Sequence, residues 1–189
     1  MIQQQKNKKR YLFILLSVYI ALLVYFMFFG FGRPQLVELR EYRYSLIPVR
    51  IPLWLPNHFS IDIIKLWIFA LGNLLAFVPF GVLVPKVFEK HFNTYFKFIV
   101  LFVLFILCME IAQMVTYLGS YDIEDIIVNT MGASIGFYSY KVSERMNTRR
   151  KNLVSIVLSI VGLSLLMFLI AWIFNNTITP YLENTFGLF

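Results

Sequence analysis

Five long apolar stretches, separated by short polar segments, run along the chain. Crossing the roughly 30 Å hydrocarbon core of a bilayer takes about 20 apolar residues in a helix. The stretches are continuous rather than alternating, so they predict membrane helices and not the strands of a membrane barrel. The predicted spans are Tyr11 to Phe31, Leu66 to Val84, Phe98 to Leu118, Ile123 to Tyr140 and Leu153 to Phe174.

Composition supports an integral membrane protein. Of the 189 residues, 59% are hydrophobic and only 14% are charged, and the mean hydropathy is +0.73. A soluble domain of this size could not bury so much apolar surface. We therefore predict an all-α, polytopic membrane bundle with about five transmembrane helices. No repeat or low-complexity linker divides it, so residues 1–189 read as a single membrane domain, in which 153–174 is an additional C-terminal transmembrane helix.

The distribution of basic residues predicts the orientation of the bundle. Twelve of the 17 lysines and arginines lie in the N-terminal segment and in the loops 85–97 and 141–152. Basic loops stay preferentially in the cytoplasm. This predicts a multi-pass protein of the cell membrane with a cytoplasmic N-terminus and an extracytoplasmic C-terminus. The net charge of +7 then reflects loops and anionic lipid headgroups, and we expect no nucleic-acid partner.

Metal or cofactor chemistry has no signature in the sequence. Cys108 is the single cysteine, and His58 and His91 have no Cys or His at ligand spacing. A soft-metal site needs such a cluster. There is also no phosphate-cradling glycine loop and no nucleophile paired with a histidine. We expect no metal and no cofactor.

Acids and carboxamides interrupt the apolar spans at a few positions. Glu110 and Gln113 are three residues apart, so they share a helix face inside the third span. A charged side chain at the centre of a membrane helix costs about 2.5–3.5 kcal/mol on insertion scales. Such residues are rarely present without a partner or a function. Glu110 is therefore the strongest candidate for a functional polar group.

A second polar group begins the fourth span. Asp122, Asp125 and Asn129 are spaced three and four apart and share a helix face. Asp122 also suits the N-cap of this helix, so both a capping role and a site role stay open for it. Asn73 stands on the second span, which Pro79 interrupts. We expect these side chains to converge inside the bundle, near its extracytoplasmic side.

The order of these motifs resembles the VanZ-like family. The resemblance covers residues 33–140, which would form a VanZ-like core. It implies a multi-pass bacterial membrane protein of the Gram-positive cell envelope. The namesake of the family is associated with low-level resistance to teicoplanin, a lipoglycopeptide antibiotic, and no biochemical activity is established for the family. The residues that carry the resemblance are Arg43–Pro48, Asn73–Gly81, the Glu110-x-x-Gln113 pair and Gly119–Gly136.

Three functions are compatible with the pattern. The first is a non-enzymatic protein that modulates the response to teicoplanin-type drugs by engaging an outer-leaflet, lipid-bearing ligand. That ligand would be a membrane lipid, a lipid-linked cell-wall intermediate or the lipoglycopeptide itself. The alternative is an enzyme that acts on a lipid-linked cell-wall substrate through paired carboxylates. In the third, the polar residues only lock helices together. The candidate site residues are Arg43, Asn73, Glu110, Gln113, Asp122, Asp125 and Asn129.

Overall fold

The computed structural model describes residues 2–30, 41–53, 60–145 and 149–186. Within these ranges the chain forms seven helices and two strands of two residues each. In chain order they are α1 (Ile2–Phe29), β1 (Tyr44–Ser45), α2 (Ile61–Ala76), α3 (Val78–Val87), α4 (Tyr95–Val115), β2 (Tyr121–Asp122), α5 (Ile123–Glu144), α6 (Arg149–Thr177) and α7 (Thr179–Phe186).

The predicted all-α membrane bundle is confirmed. Four helical stretches are long and apolar enough to cross a membrane by length and composition. The end of the first predicted span at Phe31, and residues 33–40 of the predicted core, lie outside the described residues. The four stretches are Lys6–Phe29, Ile64–Val87, Tyr95–Val115 and Val154–Phe186.

The remaining predicted span is α5, which differs from the others in its surroundings. It packs against α2, α3, α4 and α6, and half of its residues are buried. A helix enclosed by other helices meets protein rather than lipid. It can therefore carry polar and small residues that a lipid-facing span would exclude.

The second span is broken at Phe77, where α2 ends and α3 begins. Pro79 lies in the first turn of α3, where a residue without an N–H is tolerated. It cannot donate to the preceding turn, so regular helix hydrogen bonding stops there. The hydroxyl of Tyr19 on α1 donates to the backbone oxygen of Ala76 at 2.5 Å. The break thus becomes a point of attachment between the first two spans.

Glycines let α5 approach the second span until the two backbones touch. A Cβ added at Gly132 would meet the carbonyl oxygen of Leu74, and one at Gly136 would meet that of Val78. Both contacts would be far shorter than the 3.0 Å that real Cβ atoms keep. From the other side, Gly81 on α3 faces the backbone of α5 in the same way. Small residues at this spacing are the usual basis of close helix contacts in membranes.

Aromatic side chains fill the space between α1, α3, α4 and α5. Phe80 contacts Phe102 edge-on and Phe105 face-on, with both pairs of ring centroids 5.2 Å apart. Phe98 stacks on Phe137 of α5 at 4.9 Å. Phe98 and Phe102 are fully buried, so this cluster is the centre of the apolar core.

The bundle has two chemically different ends. At one end, which we call the site end, α4 meets the last turn of α1 through Gln113 and Met27. At the opposite end, Lys141 near the end of α5 donates to Asn93, just before α4. The candidate residues on α4 and α5 lie toward the site end, where α5 begins and α1 and α4 finish, and Asn73, in the last turn of α2, contacts the first turn of α5 there.

Replacing Gly136 with alanine should destabilise the bundle, because the new methyl group would collide with backbone rather than with a flexible side chain. Overpacking of this kind costs about 1–3 kcal/mol. Gly162→Ala on α6 is the matched control, since nothing lies within 4 Å of its added Cβ. Thermal unfolding in detergent should show a lowered midpoint for Gly136→Ala alone. Equal midpoints for the two variants would mean that the helices do not cross this closely.

Candidate functional site

A short parallel strand pair builds the site end. Tyr44 pairs with Tyr121 and Ser45 with Asp122, and the Tyr121 N–H donates to the Arg43 carbonyl at 2.9 Å. This pairing holds the loop between the first two spans against the turn that precedes α5. Two parts of the chain that are distant in sequence therefore meet at the polar cluster.

Residues 41–53, which we call the cover segment, are fixed further along by the last two helices. Ile51 donates its N–H to the side-chain oxygen of Asn175 at 2.9 Å and accepts from the same amide at 2.8 Å. The Thr179 hydroxyl donates to the Val49 carbonyl at 2.6 Å. The Asn175 side chain thus makes the two backbone hydrogen bonds that a neighbouring strand would make to Ile51. The cover segment lies across the site end.

The same segment also contacts the start of α5. The Arg50 N–H donates to the Glu124 carboxylate at 2.8 Å. The Arg50 guanidinium lies 3.8 Å from Glu183 on α7. This second contact is exposed, so it contributes little to stability. Together with Asn175, these contacts hold the second half of the cover segment against α5, α6 and α7.

Glu110 is buried, with 2% of its surface exposed. One carboxylate oxygen accepts the backbone N–H of Asp122 at 3.4 Å, immediately before α5. The N-terminus of a helix carries free N–H groups and a partial positive charge that favour an anion. The beginning of α5 therefore supplies one favourable contact for a buried carboxylate at Glu110.

Asp122 is the N-cap of α5. Its side chain accepts the Glu124 N–H at 2.9 Å, and its backbone is extended. The predicted capping role is confirmed. Capping and the contact with Glu110 use different groups of the residue, since the cap uses the carboxylate and Glu110 takes the backbone N–H.

Asp125 and Asn73 join α5 to α2. The Asn73 amide donates to the Asp125 carboxylate at 3.0 Å, and both residues are half-buried. A hydrogen bond to a charged group is roughly twice as strong as a neutral one. This pair therefore stabilises the packing of α2 on α5 at the level of the site.

Gln113 is directed toward α1 instead. It is 2% exposed, and its amide donates to the Met27 carbonyl at 2.6 Å. Met27 lies in the last turn of α1, where carbonyls lack partners within the helix. Although Gln113 shares a face with Glu110, its hydrogen bond to Met27 makes it a cap for the end of α1.

Four buried side-chain polar atoms have no hydrogen-bond partner within the part of the chain that the structure describes. Two belong to candidate site residues, the Nε atom of Arg43 and the side-chain oxygen of Asn129, and the others are Trp67 Nε1 on α2 and Ser139 Oγ on α5. Asn129 lies one helical turn after Asp125 and is 2% exposed. Arg43 and Ser45 are partly buried, whereas Tyr42 and Tyr44 are exposed, so the alternation of the strand turns Arg43 inward.

An unpaired buried polar group costs about 1–3 kcal/mol, and such groups call for an explanation. The Arg43 Nε–H, a donor on the cover segment, and the Asn129 oxygen, an acceptor on α5, both lack a partner among the described residues. The sequence also allows Arg43 to pair with Glu110, with Asp125 or with a phosphate, and such a pairing stays a prediction. Among the described residues, no group of three or more His, Cys, Asp and Glu side chains is placed to hold a metal ion.

Several residues of the site end were not predicted from the sequence. Asn175 and Thr179 hold the cover segment, Tyr19 binds the break in the second span, and Glu124 accepts from the backbone of Arg50. For Asn175, the sequence contained one indication. The run Asn175-Asn176-Thr177 is a polar end to a span that is otherwise uncharged.

The fold and the site define a multi-pass helical membrane protein whose buried acid and carboxamide side chains, Glu110, Gln113 and Asn129, lie toward one end of the bundle. The chain belongs to the VanZ/LLP1 family, whose profile matches residues 16–144. The family resemblance is thereby confirmed. All seven candidate residues lie within the matched range, whereas α6 and α7 follow it.

A curated relative carries the family name. The chain is similar to Protein VanZ of Enterococcus faecium, with 33% identity over 103 residues, which cover 54% of this chain. The aligned part spans 61% of the relative, so the chain matches about three fifths of that protein's length. No solved structure matches the chain significantly.

Substitutions at Asp122 should separate its capping role from its charge. Asn caps helices as well as Asp does, whereas Ala costs about 0.5–2 kcal/mol at an N-cap. We therefore expect Asp122→Asn to unfold close to the wild-type midpoint and Asp122→Ala to unfold earlier. Thermal unfolding in detergent tests this. An equal loss in both variants would show that the negative charge, and not the cap, stabilises the start of α5.

Proposed function

We propose that this protein modulates how the cell envelope responds to lipoglycopeptides of the teicoplanin type, by engaging a lipid-bearing ligand at the site end. The observation that carries the proposal is that two buried atoms of candidate residues, the Arg43 Nε and the Asn129 oxygen, have no partner among the described residues. A ligand with a polar or phosphate headgroup would supply an acceptor for the first and a donor for the second. Membership of the VanZ/LLP1 family supports the link to the antibiotic.

The outer side of the cover segment supports a ligand with a lipid tail. Tyr42, Tyr44 and Leu46 are each more than half exposed, and Tyr42 stacks on Tyr117 at 5.1 Å. Tyrosine is enriched where a membrane meets water. An apolar outer face with an arginine turned inward suits a molecule that has both a tail and a charged head.

Binding is favoured over catalysis by the hydrogen bonds of the carboxylates. The Asp122 carboxylate caps α5 and that of Asp125 accepts from Asn73. Both aspartates therefore already have structural hydrogen-bond partners. An enzyme acting on a lipid-linked cell-wall substrate through paired carboxylates would instead need one of them to exchange a proton with the substrate.

The orientation of the site is part of the proposal. The excess of basic residues at the opposite end supports a cytoplasmic N-terminus and an extracytoplasmic site end. The site would then face the outer leaflet, where lipid-linked cell-wall intermediates and lipoglycopeptides are found.

Thiol labelling on intact cells tests this orientation. In a Cys108→Ser background, a single cysteine is introduced by Ser120→Cys at the site end or by Ser143→Cys at the opposite end. An impermeant thiol reagent should label the first and not the second. The reverse pattern would put the site in the cytoplasm and exclude an outer-leaflet ligand.

Drug sensitivity tests the function. Wild type and Asp125→Asn are expressed at equal membrane levels in a sensitive Gram-positive host. Growth inhibition by teicoplanin is compared with inhibition by vancomycin, which lacks the acyl chain. We expect wild type to shift teicoplanin sensitivity more than vancomycin sensitivity, and Asp125→Asn to shift neither, because the substitution removes the charge and keeps an oxygen for Asn73.

Glu41→Gln is the matched control, since Glu41 is an exposed acid at the same end of the bundle. It should behave as wild type. Equal shifts for both drugs would argue against recognition of a lipid tail. Full activity of Asp125→Asn would show that Asp125 serves only in the packing of α5 against α2.

A further inference from the structure

A basic cleft of about 310 Å³ opens at the end of the bundle opposite to the site. Lysines from two distant segments line it, Lys8 and Lys9 from α1 and Lys86 and Lys90 from the end of α3 and the turn after it. All four are exposed. Within the described residues, no carboxylate lies within ion-pair distance of any of them.

The floor of the cleft is apolar. Leu12 and Val87 line it together with Phe88, and Val87 is buried. Phe88 contacts Phe13 edge-on at 6.4 Å. This contact joins α1 to the end of α3, so the four lysines and the apolar residues line the same cleft.

The depth of the cleft follows from where the spans end. Lys8 and Lys9 lie near the beginning of the span Lys6–Phe29, and Lys86 and Val87 lie at the end of the span Ile64–Val87. Side chains at the ends of spans reach the headgroup layer of the bilayer. The cleft therefore opens at the depth of lipid phosphates.

We infer that this cleft binds a phosphate-bearing anion, the headgroup of an anionic phospholipid. Glu89 is the single acid in its lining, so four lysines and one acid give a charge of +3 with His91 neutral. Basic pockets between membrane helices are typical binding sites for such headgroups. Loop charges that only set the orientation of the protein would not need to converge from two segments around an apolar floor.

Native mass spectrometry of the full-length protein in detergent tests the inference. The protein is titrated with short-chain phosphatidylglycerol, with short-chain phosphatidylcholine and with inorganic phosphate. We expect phosphatidylglycerol to bind and phosphatidylcholine to bind far more weakly. Phosphatidylglycerol binding that excess inorganic phosphate does not displace assigns the site to a lipid. Inorganic phosphate binding equally well assigns it to a soluble phosphate.

A charge-matched pair of variants localises the binding. Lys86→Gln with Lys90→Gln should weaken it on the order of 30-fold, because each lysine near the membrane surface contributes about 1 kcal/mol. Lys6→Gln with Lys97→Gln removes the same charge at the same end without touching the cleft, and it should bind as wild type. Lys86→Arg with Lys90→Arg should retain binding, which would exclude misfolding as the cause of any loss.

Three results would overturn the inference. The first is equal weakening in the two glutamine variants, which would indicate a general effect of net charge. The second is no weakening in either of them. The third is equal binding of phosphatidylcholine and phosphatidylglycerol by wild type, since it would mean that the cleft does not recognise anionic headgroups.

Discussion

The close crossing of α5 with the second span is the contact on which the rest of the structure depends. Lipid tails are as apolar as the helix surfaces, so helices in a membrane associate through tight packing and polar contacts rather than through the hydrophobic effect. Gly81, Gly132 and Gly136 allow the two backbones to touch. This makes α5 the inner helix of the bundle. Asn129, Ser134 and Ser139 are consequently buried against protein, where polar groups are tolerated.

The position of α5 also creates the electrostatics of the site. Its N-terminus lies at the site end and offers free N–H groups and a partial positive charge to nearby anions. Glu110 and the Asp122 side chain both accept backbone N–H groups there. The cover segment is then held over this point by a strand pair and by Asn175. Most polar groups in the arrangement have partners, whereas the Arg43 Nε and the Asn129 oxygen have none among the described residues.

The helices could be predicted because continuous apolar runs are a direct consequence of crossing a bilayer. Burial of Glu110 followed from the cost of exposing an acid to hydrocarbon, and the cap at Asp122 followed from its place before a polar first turn. The predicted span that corresponds to α5 carries polar residues such as Asp125 and Asn129, because this helix contacts other helices rather than lipid.

The contacts that assemble the site end could not be predicted in the same way. A parallel pairing of two residues, Tyr44–Ser45 with Tyr121–Asp122, is too short to leave a periodic pattern. The bond from Ile51 to Asn175 joins residues 124 apart in the chain, and nothing local to either residue specifies the other. Gln113 shares a face with Glu110, yet the end of α1 determines its partner. Each of these depends on how whole helices are placed.

Mass spectrometry of the lipids that co-purify with the protein is the most direct test of the site as a binding site. Wild type is compared with a Glu110→Gln, Asp125→Asn variant and with Glu41→Gln as the control. We expect a lipid or lipid-linked species that is enriched over the bulk membrane in wild type and the control, and absent from the double variant. Identical lipid profiles in all three proteins, with the double variant folded, would contradict it.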